Sequence, residues 1–183
     1  LNIYPDGGVA RLRLLGNIDL ILQKISNKNI IDLASVINGS QVVACSDEHF
    51  GNANNILLPG KSKNMGNGWE TRRRRGRGYD WILLKLGLSG YPISFEINTH
   101  YFKGNYPDFF SVQAINHKKN ISINSIIKNS KKWQTIIANT KLKPDSSLKI
   151  KIPKKFYKKY NYIKLNIYPD GGISRFRIFG KIK

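Results

Sequence analysis

The chain has 183 residues, 40% of them hydrophobic, which is enough for one domain with a full hydrophobic core. No apolar stretch reaches the length of a membrane span, so an integral membrane protein is not predicted. The net charge is +20, and Cys45 is the only cysteine, which excludes an internal disulfide and predicts a reducing, cytoplasmic location.

The positive charge is concentrated in residues 118–164, which hold fourteen lysines and a single acidic residue, Asp145. One interpretation is a face that binds nucleic acid or another polyanion. The other is a solvated surface in a chain rich in lysine and asparagine. We favour the solvated surface and do not expect nucleic acid as a partner, because these lysines are scattered among polar turns without interleaved aromatic residues.

An internal repeat organises the chain. Residues 1–16 (LNIYPDGGVARLRLLG) match residues 165–180 (LNIYPDGGISRFRIFG) at eleven of sixteen positions. A repeat at this spacing indicates a duplicated domain rather than a solenoid, whose period is far shorter. The chain also begins within the motif. We therefore interpret residues 1–18 as the last strands of a truncated first repeat, residues 19–33 as a linker and residues 34–183 as a complete second repeat.

The two copies of the motif predict the same local structure. Tyr-Pro-Asp-Gly-Gly supplies a turn in which the glycines tolerate positive φ. Two arginines follow at a spacing of two, which places Arg175 and Arg177 on one face of a strand, as it does Arg11 and Arg13. We expect both copies to form a strand, a turn and a strand, with the first copy packed outside the complete domain or against another molecule.

In chain order, only the linker and a short turn at residues 32–36 show helical potential. Short runs of branched and aromatic residues, separated by turn signals, then predict eight β-strands. They are residues 41–46, 80–86, 93–99, 109–115, 133–138, 147–152, 160–167 and 173–179. Eight strands without long helices indicate an all-β fold, an antiparallel jelly-roll β-sandwich. Cys45 and Trp81 are expected in its core.

The longest connection between predicted strands, residues 47–79, is where we expect a functional site. It begins with Asp47 and Glu48 directly after a strand, and it ends with Trp69, Glu70 and a run of arginines. A carboxyl group can donate a proton to a leaving group, and a carboxylate can activate water. Arginines suit bidentate recognition of a carboxylate or a ureido oxygen.

Each of these residues also has a structural interpretation. The arginine run is equally consistent with a solvated charge patch, the carboxylates with turn caps or ion pairs, and the tryptophans with the core. No spacing of histidines or cysteines indicates a preformed metal site, so we assign no metal ligand, while the oxygen-rich loop leaves a divalent metal open as a cofactor.

Four motifs together resemble those of the allantoicase family. They are VVACSDEHF, NGWETRRRRGRGYDWILLKLGL, INTHYFKGNYPDFFSV and the repeated NIYPDGG-x-x-R-x-R-x-x-G, and they span residues 41–180. The resemblance implies two tandem jelly-roll repeats of the galactose-binding-like type. It also implies a hydrolase of purine degradation that converts allantoate and water to ureidoglycolate and urea, and that assembles as a homo-oligomer.

The resemblance further suggests roles for individual residues. The implied catalytic residues are Asp47, Glu48, Glu70 and Asp170. Glu48 or Glu70 would protonate the departing urea, and Asp47 or Asp170 would activate or orient water. The implied substrate-binding residues are Trp69, Arg72, Arg73, Arg75, Asn105 and Arg175.

Two other functions fit the same fold, because a fold does not determine a function. One is a non-catalytic β-sandwich module that binds carbohydrate or a polyanion. The other is an inactive relative that keeps the allantoicase fold. A group of acids beside arginines favours the enzyme, since a sugar-binding module has no need of it.

Overall fold

The structure is a computed structural model that describes residues 1–10, 12, 29–117 and 122–182. Its strands are β1 (Ile31–Asp32), β2 (Gln41–Cys45), β3 (Trp69–Glu70), β4 (Asp80–Asn98), β5 (Phe109–Ile115), β6 (Gln134–Lys141), β7 (Ser147–Lys151), β8 (Tyr160–Tyr168), β9 (Gly172–Ile173) and β10 (Arg175–Lys181). Its α-helix is α1 (Ile123–Ser130), and short 3-10 helices lie at Val36–Asn38, Ala53–Leu57, Met65–Asn67 and Lys154–Phe156.

Strand β4 belongs to both layers of an antiparallel β-sandwich. Its first part pairs with β2 and with β8, and the layer continues from β8 through β5 to β6. Its last part pairs with β10 and β7, and β1 lies beyond β10. The register breaks between Lys85 and Gly90, where the strand passes from one layer to the other. The predicted all-β jelly-roll sandwich is therefore confirmed.

One correction concerns β4 itself. The sequence predicts two strands, residues 80–86 and 93–99, separated by a turn at Leu88-Ser-Gly-Tyr-Pro. In the structure these residues form one strand that bends. A Cβ at Gly90 would lie 2.8 Å from the carbonyl oxygen of Lys181, so the glycine permits the close approach at the bend.

The core lies between the two layers and takes alternate residues from each strand. Ile163, Leu165 and Ile167 of β8 are all fully buried, and they face the layer that contains β10. Phe95 of β4 stacks on Phe176 of β10, with ring centroids 5.6 Å apart. Alternation along single strands therefore identifies the core faces.

A second apolar cluster lies on the outer face of the layer that contains β2, β8, β5 and β6. Leu83, Trp133 and Tyr162 pack there against Ile126 of α1. The sequence analysis missed this helix, which Ser122 caps by accepting the N–H of Ser125. Trp81, predicted in the core, is instead half-buried on this outer face. None of the helices in the described ranges is long and apolar enough to cross a membrane.

The first copy of the repeated motif is not packed as the second copy is. Residues 1–10 contain no strand and are all exposed, whereas Leu165 and Ile167 of the same motif lie in the core. The turn itself recurs, because φ is +137° at Gly7 and +127° at Gly171. Arg11, Arg13 and most of the predicted linker lie outside the described residues.

Candidate functional site

The long connection at residues 47–79 is tied to the Tyr-Pro-Asp-Gly-Gly turn by short stretches of β-structure. Glu70 of β3 pairs with Gly172 of β9 and also bridges to Gly51. Thr71 continues the link, because its hydroxyl accepts the N–H of Gly171 at 3.1 Å. The loop that follows β4 joins the same assembly, since Gly172 donates its N–H to the carbonyl of Asn105 at 2.7 Å.

Gly171 and Gly172 allow these segments to meet. The φ of Gly171 is +127°, and a Cβ there would lie 2.6 Å from the carbonyl oxygen of Asn105. A Cβ on Gly172 would lie 2.0 Å from the ring of Phe102, which is fully buried. The turn glycines are therefore required by close packing as well as by backbone conformation.

A cleft of about 550 Å³ lies where the three segments meet, and we call it the Glu70 cleft. Its polar lining includes four of the predicted site residues: Glu70, Arg73, Asn105 and Asp170. The remaining lining residues are Phe50, Thr71, Arg74, Gly104, Tyr106, Asp108, Pro169 and Gly171. The fold thus gathers two carboxylates, an amide and an arginine that are far apart in the sequence.

Hydrogen bonds orient two of the three carboxylates that line the Glu70 cleft, those of Glu70 and Asp170. The side-chain amide of Asn105 donates to Oε1 of Glu70, and Glu70 is half-buried. Asp170 accepts the backbone N–H of Arg74 on Oδ2 at 2.8 Å. In each carboxylate, one oxygen is held by the protein and the other has no protein partner among the described residues. The second oxygens are therefore available to a substrate or to water.

The arginine run alternates between paired and unpaired side chains. Arg72 donates from Nε to Asp47 at 3.1 Å, and the Nη2 of Arg74 donates to the buried carboxylate of Asp80. Arg73 and Arg75 are exposed, and neither has a salt bridge or side-chain hydrogen bond within the described ranges.

Asp47 is the anchor of this run rather than a member of the Glu70 cleft. It accepts the backbone N–H of Arg72 at 2.7 Å and pairs with the guanidinium of Arg72. Partial burial acts to raise its pKa, but the hydrogen bonds and charge of Arg72 outweigh that effect and lower the pKa overall. Asp47 is therefore an ionised structural partner of Arg72 at neutral pH.

A second, smaller cleft of about 300 Å³ borders the same run, and we call it the arginine cleft. It is lined by Ser46, Asp47, Arg72, Arg73, Arg74, Arg75, Gly76 and Asp80. Arg73 and Arg74 line both clefts, whereas Arg72 and Arg75 line only this one. The structure therefore separates Arg75 from Glu70 and Asp170, although the sequence analysis grouped them in one site.

Two of the predicted site residues, which lie towards opposite ends of the long connection, have structural roles. Trp69, predicted to contact substrate, is fully buried in the core, and its indole N–H donates to the carbonyl of Asp47 at 2.7 Å. Glu48 lies in neither cleft, and its carboxylate accepts the N–H of Ala53 at 2.9 Å, at the start of the Ala53–Leu57 helix.

Arg175 also has a structural role instead of the predicted contact with substrate. It is 3% exposed, and burial, together with the charge of Arg177, lowers its pKa. All five of its N–H groups donate to oxygens of the protein, which belong to Gly60, Lys61, Ser174 and Asn67. Arg175 therefore fastens the long connection to β10 and has no donor left for a ligand.

The sequence analysis did not identify the ion pair between Arg74 and Asp80, which connects the clefts to the sandwich. Asp80 is the first residue of β4, is 1% exposed and also accepts the hydroxyl of Ser46 at 2.9 Å. An acidic residue at the start of an apolar strand, close to several arginines, was the available signal. Among the described residues, no group of three or more His, Cys, Asp or Glu side chains is arranged to hold a metal ion.

Comparison with known proteins places this geometry in a family. The family model described as "Allantoicase repeat" matches residues 31–183. A "Probable allantoicase" of Acinetobacter baumannii is 43% identical over 182 residues, which are 100% of this chain and 53% of that protein. A protein of the same name from Photobacterium profundum is 43% identical over 180 residues, covering 98% and 54%. The chain thus spans about half the length of these curated relatives.

Solved structures give the same result for the fold. The crystal structure of allantoicase from Saccharomyces cerevisiae matches with a TM-score of 0.72 and 34% identity, covering 85% of this chain and 45% of that one. A fucolectin from striped bass (Morone saxatilis) serum matches with a TM-score of 0.60 at 12% identity, covering 83% and 48%. The second likeness shows the shared galactose-binding-like fold alone.

Proposed function

The chain belongs to the allantoicase family, and we propose that its Glu70 cleft hydrolyses allantoate to ureidoglycolate and urea. The observation that carries this proposal is the meeting of Glu70, Asp170 and the unpaired Arg73 in one cleft. Because the chain spans about half the length of its curated relatives, we propose the activity for the protein that contains both repeats.

Arg73 is the residue we propose for binding the substrate carboxylate. Allantoate carries one carboxylate and two ureido groups on a single carbon, so it needs one cationic anchor and several polar contacts. Within the described ranges, Arg73 is the guanidinium of the Glu70 cleft without a carboxylate partner, since Arg74 is paired with Asp80. An arginine that is free to form a bidentate pair with a carboxylate supplies both charge and orientation.

Glu70 and Asp170 are the acid and the base in this proposal. Water attacks the central carbon, and the bond between that carbon and one ureido nitrogen breaks. Asp170 takes the proton from water, and Glu70 gives a proton to the departing nitrogen, so that ureidoglycolate and urea leave. Glu48 and Asp47 are excluded from these roles because they lie outside the Glu70 cleft.

The test is urea release by a two-repeat protein and its variants. Glu70→Gln and Asp170→Asn should each lower the turnover rate roughly a hundredfold or more, the usual scale for lost acid–base catalysis. Glu48→Gln is the control for a carboxylate outside the cleft. Circular dichroism and the unfolding midpoint of each variant establish that folding is intact.

Two outcomes would contradict the proposal. Full turnover in both Glu70→Gln and Asp170→Asn would remove the Glu70 cleft from the mechanism. Binding of allantoate by the two-repeat protein without any release of urea would favour the non-catalytic module or the inactive relative.

We also propose the domain organisation that the repeat predicts. Residues 1–18 would complete a preceding repeat, residues 19–33 would link the two repeats, and residues 34–183 would form the second. The exposure of residues 1–10, beside the burial of the same motif in β8, supports a partner for the first copy. β1 begins at Ile31, slightly before the proposed boundary. A homo-oligomer in the cytoplasm remains part of this proposal.

A further inference from the structure

The arginine cleft has an excess of positive charge, of which the proposed hydrolysis uses only Arg73. Four guanidinium groups line it, and two carboxylates, those of Asp47 and Asp80, compensate part of that charge. Each carboxylate already has an arginine partner, Arg72 or Arg74. Arg73 and Arg75 therefore present uncompensated charge to the same 300 Å³ space.

The paired arginines also keep donors free in this cleft. Arg72 uses Nε and Nη2 for Asp47, and its side chain is 67% exposed. Arg74 donates from Nη2 to Asp80, and its Nη1 has no acceptor within the described ranges. Gly78 permits the close approach of that atom, since an added Cβ there would lie only 3.1 Å from Nη1 of Arg74. Several guanidinium N–H groups thus border one small cleft.

We propose that the arginine cleft is a binding site for a small oxyanion, with inorganic phosphate as its probe. Converging guanidinium groups match the geometry of a tetrahedral or planar oxyanion through paired N–H donors. The ion pairs with Asp47 and Asp80 hold Arg72 and Arg74 in place before the ligand arrives, which reduces the entropy lost on binding.

The two clefts are coupled through Arg73. It lines both of them, and an anion bound to its single positive charge in one cleft weakens the attraction for a second anion in the other. An oxyanion in the arginine cleft therefore competes with the substrate carboxylate in the Glu70 cleft. This coupling rests on the proposed function, whereas phosphate binding itself does not.

The experiment measures phosphate binding to the full chain by titration calorimetry, with matched arginine variants. Arg75→Gln changes a residue that lines only the arginine cleft, and Arg77→Gln changes an arginine of the same segment that lines neither cleft. Arg75→Gln should weaken phosphate binding about tenfold or more, the effect of losing one charge-assisted contact. Arg77→Gln should leave the affinity within about twofold.

Equal losses in the two variants would show a non-specific charge run and would overturn the site, as would the absence of phosphate binding at millimolar concentrations. Acetate, as a second probe, separates a carboxylate site from a phosphate site: acetate binding with the same affinity and the same variant dependence would assign the cleft to carboxylates.

In a two-repeat protein that releases urea, phosphate should raise KM without changing kcat. Unchanged KM at saturating phosphate would overturn the coupling through Arg73. If no urea is released, the calorimetric comparison still decides the site.

Discussion

Arg73 and Arg175 carry the same guanidinium group in opposite surroundings. Arg73 is exposed at the junction of two clefts and has no described partner, whereas Arg175 is buried and donates all five of its N–H groups to protein oxygens. Free donors suit a guanidinium for ligand binding, and satisfied donors suit it for holding a loop. Replacement of Arg73 should therefore impair ligand binding, whereas replacement of Arg175 should lower stability.

Arg175→Met should lower stability, because it leaves the buried acceptors of the long connection without donors. We expect a loss of about 3 kcal/mol in the free energy of unfolding, the scale for removing one member of a buried charged network. Arg73→Met, at an exposed site, should change stability by less than about 0.5 kcal/mol. Urea denaturation of both variants checks this difference, and equal losses would refute the assignment of Arg175 as structural.

Cys45 shows a different effect of surroundings on a single residue. It lies at the end of β2, packs against the core and is only partly buried. Desolvation, together with the nearby charges of Glu48, Asp47 and Asp80, raises the pKa of its thiol to about 11. The thiol is therefore protonated at neutral pH and a poor nucleophile.

Two measurements follow from the raised thiol pKa. Alkylation of Cys45 by iodoacetamide at pH 8 should be much slower in the folded chain than in the urea-unfolded chain. In addition, the folded state disfavours the thiolate, so stability should fall as the pH rises from 9 through about 11. The difference in unfolding free energy between the wild-type chain and Cys45→Ala should shift against the wild type over that range. Fast alkylation of the folded chain would contradict the shift.

At the scale of elements, one eight-residue motif occurs in two different structural environments. The motif LNIYPDGG is exposed at residues 1–8, but at residues 165–172 it forms the end of a central strand, a turn and the start of β9. β8 is central because β4 and β5 pair with it on either side. Strand formation here depends on neighbouring strands, since an isolated strand has no partner for its backbone groups.

The two copies offer a matched pair of glycine substitutions. Gly172→Ala places a methyl group 2.0 Å from the buried ring of Phe102, whereas Gly8→Ala meets no atom within 4 Å. Gly172→Ala should destabilise the chain by about 1–3 kcal/mol through overpacking, and Gly8→Ala should have almost no effect. Thermal unfolding of both variants is the measurement. A marked destabilisation by Gly8→Ala would show that the first copy is packed in solution.

At the scale of the whole molecule, the charge of +20 remains the least specific property of the chain. Several lysines of residues 141–158 are exposed, and these exposed lysines form no salt bridge with a described residue. Such a surface attracts polyanions without reading their sequence. The specific anion binding proposed for the two clefts instead belongs to a run of four arginines, in which acidic partners hold Arg72 and Arg74 and leave Arg73 and Arg75 free.

Binding to duplex DNA should therefore be weak and strongly salt-dependent. If six or more phosphates are contacted, the affinity should fall by on the order of 10³ between 50 and 200 mM salt. Two duplexes of unrelated sequence should bind equally well, as measured by fluorescence anisotropy. Binding that resists salt or selects one duplex would instead indicate a nucleic-acid site.

The sequence by itself determined the repeat, the all-β fold, the longer strands and the family, but not the two-residue strands β1, β3 and β9. These features follow from local signals, namely alternation of apolar residues, turn chemistry and motifs. The continuous course of β4 and the presence of α1 were not determined, because a bend and a short polar helix depend on what packs against them. Local sequence patterns do not encode packing contacts between residues that are distant in the sequence.

The tertiary structure decided which predicted site residues belong together. The sequence analysis assigned Arg73, Arg75 and Arg175 the same role in substrate binding. In the structure, Arg73 lines both clefts and Arg75 lines only the arginine cleft. Arg175 is buried and holds the long connection in place. Glu70 and Asp170 meet only because β3 pairs with β9. The physical reason is that residue type sets the chemistry a side chain can perform, whereas solvent access and hydrogen-bond partners, both products of distant contacts, decide whether it is free to perform it.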